Sequence, residues 1–478
     1  MSLFRKIAFN TFVHTVGKFG GSFVGIFIIA ILTRYLGVEG YGTYTTIFAY
    51  LFFFGILSDM GLYVVTINEL GRSQFGEEKF FNNIFSLRFV TAFFLILTAC
   101  VVIWFFPYSL TIKWGVVVAS LSIFLNLLNQ ILVAFFQNKI NMKRVAVAEL
   151  IGKLIVLGLT ILIVYLGGSL ILLLTAIILG FLINFCINLG YLRRFIKLKL
   201  EIDWKIWHDI LKKSWPIAVT TIFSLIYFKA DTLFLSLLPV NQAYAFSNEQ
   251  AVGIYGAPYK ILEVLIAWPA IFVGLVSPLL SKAWADRNIV DFNKIWQKAF
   301  DVLSIIIWPM TIGVLVLAKP LMVLIAGDAF INSGLVLQIL IWAVAIIFLT
   351  HLTTYSIIAL GRQKQMIKFY SLAAALAVAG YLWLIPKYSY LAAAGVTVFV
   401  EGFMLLATIY LLKKHFALQV DLSVFGKAML SAVGMGLMLT FVINWNVLIL
   451  LIIGAVAYFG FLWLNGGISK KLIKEFTN

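Results

Sequence analysis

The feature that most constrains this chain is a series of long apolar runs, each about twenty residues, separated by short polar connectors. About 20 apolar residues in a helix are enough to cross the hydrocarbon core of a bilayer. Hydrophobic residues make up 63% of the chain and charged residues 12%, whereas soluble domains have about 45–50% and about 25%. The sequence therefore predicts an all-α polytopic membrane protein. The first run continues past residue 30 without a small-residue cleavage site, so we expect a span there and not a signal peptide.

The apolar runs predict about fourteen transmembrane helices. They lie near residues 8–33, 41–66, 83–106, 114–136, 145–166, 169–191, 214–238, 252–278, 299–318, 333–358, 367–386, 391–412, 423–443 and 446–465. Cys100 and Cys186 both fall within apolar runs, so neither a disulfide framework nor a thiolate metal site is expected.

Lysine and arginine are unequally divided between the two sides of the predicted membrane. Both ends of the chain and every even-to-odd connector are basic. The basic residues assigned to the connector after the second span, for example, are Arg72, Lys79 and Arg88. The opposite connectors contain only Arg34, Lys113, Lys319 and Lys387. Because positive residues stay in the cytoplasm, we expect both termini to be cytoplasmic. This topology accounts for the net charge of +17 and makes nucleic-acid binding unnecessary.

An internal repeat appears when the sequence is shifted by 211 residues. "FVHTVGKFGGSF" at 12–23 then aligns with "FSLIYFKADTLF" at 223–234, which matches Lys18 to Lys229. The same shift aligns "GTY" with "GIY" and "FNNI" with "FNKI", without a gap. Two parallel repeats of an even number of spans are a common plan of secondary transporters, with the substrate site between them.

The repeat divides the chain into four predicted regions. These are an N-lobe of six spans at 1–192, a cytoplasmic amphipathic linker at 193–213, a C-lobe of six spans at 214–414, and two further spans with a basic tail at 415–478. Trp204, Trp207 and Ile210 alternate with lysines in the linker, which is typical of a segment that lies on the membrane surface.

Charged residues inside the spans are the main candidates for function. Each charge at a helix centre costs about 3 kcal/mol on insertion scales, and four lysines carry this cost: Lys18, Lys153, Lys229 and Lys260. Lys229 and Asp231 are two residues apart, so they point to different sides of a helix and neutralise each other poorly. Lys18, Lys229 and Lys260 are therefore predicted to line a cationic cavity, although the spacing of Lys260 and Glu263 also permits an ion pair.

Four carboxylates are candidates for carrying a coupling ion, because burial favours proton or cation binding. They are Asp59, Asp231, Glu263 and Glu401. Asp59 is also compatible with a structural contact at a helix end, and Glu149 with Lys153 fits a local ion pair. Neither His14 nor His351 has partners at metal-ligand spacing, so we expect no metal site and no cofactor. The sequence leaves the choice between H⁺ and Na⁺ open.

The N-terminal segment resembles a known family of membrane proteins. "NTFVHTVGKFGGSFVGIFIIAILTRYLGVEGYGTYTTIFAY", with its "LG-x-x-x-YG-x-Y" turn, and "ILSDMGL" at 56–62 are similar to the polysaccharide transporter family. This family contains the O-antigen-type flippases of the multidrug/oligosaccharidyl-lipid/polysaccharide exporter superfamily. The resemblance implies a multi-pass protein of the bacterial cytoplasmic membrane that moves polyprenyl-diphosphate-linked oligosaccharides by alternating access. Its implied partners are the lipid-linked oligosaccharide, the bilayer and polysaccharide-assembly proteins.

Two other functions are compatible with a polytopic protein of this kind. A drug/cation antiporter of the same superfamily would share the twelve-span core but would favour an anionic cavity, which the buried lysines disfavour. A membrane glycosyltransferase or polymerase usually needs a large external loop with catalytic acids, and the largest predicted external loop is only "LPVNQAYAFSNEQ". We therefore expect a transporter and not an enzyme.

Overall fold

The computed structural model describes residues 3–71, 74–416 and 418–467, with all side chains in these ranges except those of 3–16, 18, 19, 216, 217, 220, 224 and 225. Every regular element in these ranges is helical, which confirms the predicted all-α class. The α-helices are α1 Leu3–Asp59, α2 Leu62–Glu69, α3 Glu77–Val102, α4 Leu110–Asn138, α5 Met142–Tyr165, α6 Leu170–Leu192, α7 Trp204–Leu237, α8 Asn248–Ala285, α9 Ile289–Ala326, α10 Ser333–Ala359, α11 Ile367–His415, α12 Ser423–Phe441 and α13 Val447–Leu464.

Eleven helices in the described part of the chain are long and apolar enough to cross a membrane. Two of them bend sharply: the backbone is non-helical at Gly37 in α1 (φ 66°, ψ −174°) and at Ser389 in α11 (φ 51°, ψ −131°). A positive φ costs glycine little, which explains the residue at the first bend. Each bend separates two predicted spans. The exact count of fourteen and the cytoplasmic location of the termini remain predictions.

The helices form two compact units, Met1–Gly253 and Ile254–Asn478. Helix α7 begins the second half of the repeat in sequence, yet it packs against α1, α2 and α3 of the first unit. In the second unit α10 packs on α11, while α12 and α13 pack on α9. The predicted linker at 193–213 separates the two halves of the sequence repeat, and this division stays a prediction.

Each unit has its own apolar core. In the first unit Phe81, Phe135 and Trp207 belong to one buried cluster at the end where the basic connectors lie, which we call the basic end. At the other end, Ile47, Tyr50 and other residues of α1 pack against α3, α4 and α6. In the second unit the C-terminal helices are anchored by apolar packing, and the buried Tyr458 donates to the carbonyl of Ile305 at 2.7 Å.

The first glycines of the two Gly-x-Tyr segments, Gly42 and Gly253, lie at a close backbone contact in the first unit. A Cβ added at Gly42 would overlap the carbonyl oxygen of Glu249, and one added at Gly253 would overlap that of Val38. The second half of α1 and the start of α8 therefore approach backbone to backbone. Only glycine permits this separation at both positions.

Side chains at the start of α3 hold the extended chain that connects α6 to α7. The backbone N–H of Glu201 donates to Ser86 Oγ at 2.8 Å, and that of Asp203 donates to Asn83 Oδ1 at 2.7 Å. The carboxylate of Asp203 also lies 2.7 Å from Lys79 Nζ. We call this arrangement the first clasp. It fixes the chain just before α7 begins at Trp204.

The second unit contains a corresponding arrangement, the second clasp, at the start of α9. The side-chain amide of Gln297 forms two hydrogen bonds with the backbone of Asp421. Its Nε2 donates to the carbonyl at 2.7 Å, and its Oε1 accepts from the N–H at 2.9 Å. The N–H of Gln419 donates to Asn293 Oδ1 at 3.4 Å. Asn293 and Gln297 are related to Asn82 and Ser86 by the same shift of 211 residues.

Candidate functional site

Lys229 lies within α7 and faces the second half of α1. Its Nζ is 5.5 Å from the centre of the Phe52 ring and 5.6 Å from that of Phe228. Lys229 and Phe52 also border a narrow cleft of about 20 Å³, which is lined in addition by Ile56 and Ile226. Aromatic rings stabilise a desolvated ammonium group by about 2 kcal/mol. The structure thus places this predicted ligand against aromatic rings in the first unit, while the side chain of Lys18 lies outside the described residues.

Asp231 is fully buried on the same helix. Its Oδ1 accepts hydrogen bonds from the backbone N–H of Thr232 at 2.6 Å and from the Thr232 hydroxyl at 3.1 Å. Hydrogen bonds of this kind satisfy part of the carboxylate's acceptor capacity. Asp231 is therefore a buried acidic group in an apolar helix, as the sequence predicts.

Lys260 and Glu263 form an ion pair in α8, with 2.9 Å between Nζ and Oε2. This confirms the pairing that their spacing permits. Both side chains are partly exposed. Because the charges balance each other, this pair contributes little net positive charge to a cationic cavity.

Asp59 is part of a buried network around Arg88. The Arg88 side chain is fully buried, and its Nη1 is 3.0 Å from Asp59 Oδ1. Three further bonds hold the guanidinium group: Nε donates to the carbonyl of Leu127 at 3.0 Å, Nη1 to that of Ser58 at 2.9 Å, and Nη2 to Gln130 Oε1 at 2.7 Å. A paired charge with most of its donors bonded is what allows an arginine to be buried.

The position of Arg88 corrects the sequence analysis. Arg88 was counted with a cytoplasmic connector, but it is buried within α3, eleven residues after the helix begins at Glu77. The signal for this was present, because "IFSLRFVTAFF" at 84–94 contains one charge in an apolar run. Arg88 is therefore one more charged residue inside a predicted span, and sequence reasoning did not identify it as such.

Glu401 lies in the second half of α11 and is 3% exposed. It forms no ion pair with any side chain in the ranges that the structure describes. A carboxylate this deep in an apolar segment is expensive to keep ionised without a balancing charge. Glu401 has the environment expected of a group that binds a proton or a cation.

The first unit contains an open polar cavity of about 480 Å³, which we call the polar cavity, lined by the end of α1, the start of α2 and helices α4, α5 and α6. Its polar lining consists of Asp59, Tyr63, Asn126, Asn129, Gln130, Glu149, Lys153 and Asn184. Glu149 and Lys153 are 2.9 Å apart, which confirms the predicted local pair. Asp59 thus shares this cavity with residues of four other helices, whereas Lys229 borders a different cleft and Lys260, Glu263 and Glu401 belong to the second unit.

No group of three or more His, Cys, Asp or Glu side chains in the described residues is arranged to bind a metal ion. His351 Nδ1 is 2.9 Å from the carbonyl oxygen of Ile347, one helical turn earlier. This histidine has an ordinary helix contact.

The sequence matches the family model for polysaccharide biosynthesis proteins over residues 7–284. No curated protein is significantly similar in sequence. Among solved structures, the fold is similar to the lipid II flippase MurJ in its inward closed conformation, with 16% identity over 95% of this chain and 99% of that chain and a TM-score of 0.76.

Structures of the MATE branch of the MOP superfamily are also similar. An inward-facing multidrug resistance MATE transporter has 13% identity, covers 83% of this chain and 92% of that chain, and gives a TM-score of 0.62. A MOP superfamily transporter from Pyrococcus furiosus has 12% identity over 85% and 95% of the two chains, with a TM-score of 0.56. At these identities the likeness concerns the fold: the chain is a multi-pass membrane protein with the architecture of these transporters.

Proposed function

The chain belongs to the family of polysaccharide biosynthesis proteins, and from this we propose that it moves a polyprenyl-diphosphate-linked oligosaccharide across a bacterial cytoplasmic membrane. The family match over residues 7–284 is the observation that carries the proposal. The fold similarity to a lipid II flippase supports it, because that substrate is also lipid-linked. In this proposal the protein is a transporter without a cofactor, its termini are cytoplasmic, and it works by alternating access beside polysaccharide-assembly proteins.

We propose Lys229 as the principal ligand of the diphosphate, with Lys18 and Lys260 as further candidates. A lysine is a mobile point charge that can bind a phosphate and release it. The position of Lys229 against Phe52 and Phe228 supports this role, since aromatic rings stabilise an ammonium group inside an apolar helix. The charge of Lys260 is balanced by Glu263, whose Oε2 lies 2.9 Å from its Nζ.

We propose Glu401 and Asp231 as the carriers of the coupling ion, H⁺ or Na⁺. Both are almost completely buried in apolar helices. Of the two other candidates, Asp59 Oδ1 lies 3.0 Å from Arg88 Nη1 and Glu263 Oε2 lies 2.9 Å from Lys260 Nζ. Transport by the Glu401→Gln variant should lose its dependence on the ion gradient, and unchanged dependence would remove Glu401 from coupling.

The decisive test is transbilayer movement of a polyprenyl-diphosphate oligosaccharide in proteoliposomes. We expect movement by the wild type and by Lys113→Gln, which removes a lysine from the partly exposed start of α4. Movement should be lost in Lys229→Gln and partly kept in Lys229→Arg. Full activity of Lys229→Gln would exclude Lys229 as a ligand. No movement by the wild type would contradict the function itself.

The fold similarity to MATE transporters keeps a drug/cation antiporter as the second candidate. The same proteoliposomes, loaded with a cationic dye under an ion gradient, distinguish the two functions. Dye efflux without movement of the lipid-linked oligosaccharide would favour the antiporter.

A further inference from the structure

The polar cavity of the first unit contains two ion pairs and several amides. Asp59 is balanced by Arg88, and Glu149 is balanced by Lys153 at 2.9 Å. Together with Arg88, which is buried behind Asp59, the charges around the cavity therefore cancel. The cavity offers no net counter-charge to a cation or a diphosphate. A neutral polar ligand needs none, because it brings no charge that must be balanced.

Amide groups provide the directed hydrogen bonds of this cavity. The buried Asn188 donates to Asn129 Oδ1 at 2.8 Å and to Asn184 Oδ1 at 3.0 Å. These bonds use the oxygens of both lining asparagines and so leave their NH₂ groups as the donors available to a ligand. The Gln130 oxygen is likewise used by Arg88, which leaves its NH₂ group. Asn126 adds a fourth amide on the wall that α4 provides.

The carboxylates of Asp59 and Glu149 add acceptors to the same lining, and Phe181 adds an aromatic surface. A set of amide donors, carboxylate acceptors and one aromatic ring matches the chemistry of a pyranose, whose hydroxyls both donate and accept and whose C–H face is apolar. The volume of about 480 Å³ lies within the range of about 300–1,000 Å³ that is typical of small-molecule sites.

The cavity is built on closely packed helices. A Cβ at Gly152 in α5 would come within 2.8 Å of the carbonyl oxygen of Gly180 in α6, and within 3.1 Å of Asn184 Cβ. Small residues at a crossing allow two helices to approach closely and fix their separation. The positions of Glu149, Lys153 and Asn184 relative to each other are therefore set by backbone packing, as a binding site requires.

We propose that the polar cavity of the first unit binds one neutral sugar residue. The amide NH₂ groups of Asn126, Asn129 and Asn184 donate to its hydroxyls, and Asp59 and Glu149 accept from them. This proposal rests on the proposed function, because it assigns a place to one sugar of the lipid-linked oligosaccharide, separate from the lysines proposed for the diphosphate.

The test uses the full-length protein in lipid nanodiscs and a set of neutral methyl pyranosides as probes. Saturation-transfer NMR measures their binding to the wild type, to Asn126→Ala, to Asn184→Ala, and to Thr175→Val as a control. Asn126→Ala carries little folding risk, because this amide makes no hydrogen bond to another described side chain. Thr175 lies on α6 like Asn184, but it is not among the residues that line the cavity, and its hydroxyl donates to the carbonyl of Leu172.

We expect at least one pyranoside to bind the wild type and Thr175→Val equally, and to bind each asparagine variant about tenfold more weakly, the loss typical of one hydrogen-bonding partner. Absence of binding to the wild type would overturn the proposal. So would equal binding by the asparagine variants, or displacement of the sugar by NaCl at constant ionic strength, which would assign the cavity to a cation.

The proteoliposome assay separates this proposal from the proposed function. Pyranoside binding that depends on Asn126 and Asn184, without movement of any lipid-linked oligosaccharide, would support the sugar site and contradict the flippase. Wild-type movement that both asparagine variants retain at the same rate and substrate concentration dependence would leave the flippase in place and overturn the sugar site.

Discussion

The first and second clasps are the same device in two halves of one chain. In both, polar side chains in the first turns of a long helix hold the extended connector that follows the sixth predicted span of that half. The register is also the same, since Ser86 and Gln297 differ by the repeat shift of 211 residues. Phe81 and Phe292, again related by this shift, are both fully buried beneath the clasps.

The two halves differ two residues further along the same helices. Arg88 in α3 is replaced by Ala299 in α9, and both positions are buried. The arginine organises Asp59 and Gln130 at the edge of the polar cavity, whereas the alanine side chain has no charge and no hydrogen-bonding group. The repeat has therefore kept its scaffold in both halves but has placed the buried Arg–Asp network in one. A feature found in both clasps reports on folding, and one found in a single half is a better guide to function.

The largest expected effect follows from removing the arginine that distinguishes the halves. Arg88→Met leaves the partly buried Asp59 without its cation, and breaking such a pair costs about 3–5 kcal/mol. The free energy of unfolding, measured by denaturant titration in detergent, should fall by this amount. The double variant Asp59→Asn/Arg88→Met should recover part of the loss, because no charge is then left unpaired.

The matched control for Arg88→Met is Lys79→Met on the same helix, which removes a half-exposed cation. Its effect should be below about 1 kcal/mol, as is usual for surface ion pairs. If the two single variants destabilised the protein equally, the buried network would not be what sets the first half apart.

A smaller effect is expected from the clasps themselves. Asn83 is fully buried and its Oδ1 accepts from Asp203 N–H at 2.7 Å, so Asn83→Ala leaves that N–H without its partner at a cost of about 1–3 kcal/mol. Asn293 accepts from Gln419 N–H at 3.4 Å in an exposed setting, and Asn293→Ala should cost less than about 1 kcal/mol. Thermal unfolding in detergent measures both. A larger loss for Asn293→Ala would show that the second clasp is the stronger.

Much of this architecture was predictable because the bilayer restricts what an apolar run can become. Runs of twenty apolar residues must satisfy their backbone groups internally, so the helical class followed from hydropathy alone. The repeat of "FNNI" and "FNKI" was also visible, since it preserves the polar residues that open two long helices. The ion pairs of Glu149 with Lys153 and of Lys260 with Glu263 followed from helical spacing.

The polar cavity and the role of Arg88 were not predictable, because they depend on contacts between helices distant in sequence. Arg88 bonds residues 30, 39 and 42 positions away, and no spacing rule connects them. The amides of Asn129, Asn184 and Asn188 likewise come together only through packing of α4 on α6. Sequence reasoning found charges that are costly in lipid, but neutral amides carry no such signal.

The smallest expected effect comes from the acidic residue of each clasp, because different interactions lower its pKa in the two clasps. The Lys79 ammonium is the main cause that holds the pKa of Asp203 below its usual value of 3.8. In the second clasp, hydrogen bonds from the Ser423 N–H and hydroxyl are the main causes that lower the pKa of Asp421. A carboxyl whose pKa is lowered by folding stabilises the protein above its unfolded pKa, and this stability is lost as the pH falls through the folded pKa.

Asp203→Asn and Asp421→Asn should therefore each lower the melting temperature slightly at pH 7, and the difference from wild type should vanish at a pH well below 3.8. At about 1 M salt, where the screening length is about 3 Å, only the effect of Asp203→Asn should shrink, because its partner is an exposed cation. Asp286→Asn, an exposed carboxylate outside both clasps, is the control. Equal salt sensitivity of the two clasp variants would mean that the Asp421 carboxylate is also held by charge, through Lys427, and that the clasps are electrostatically alike.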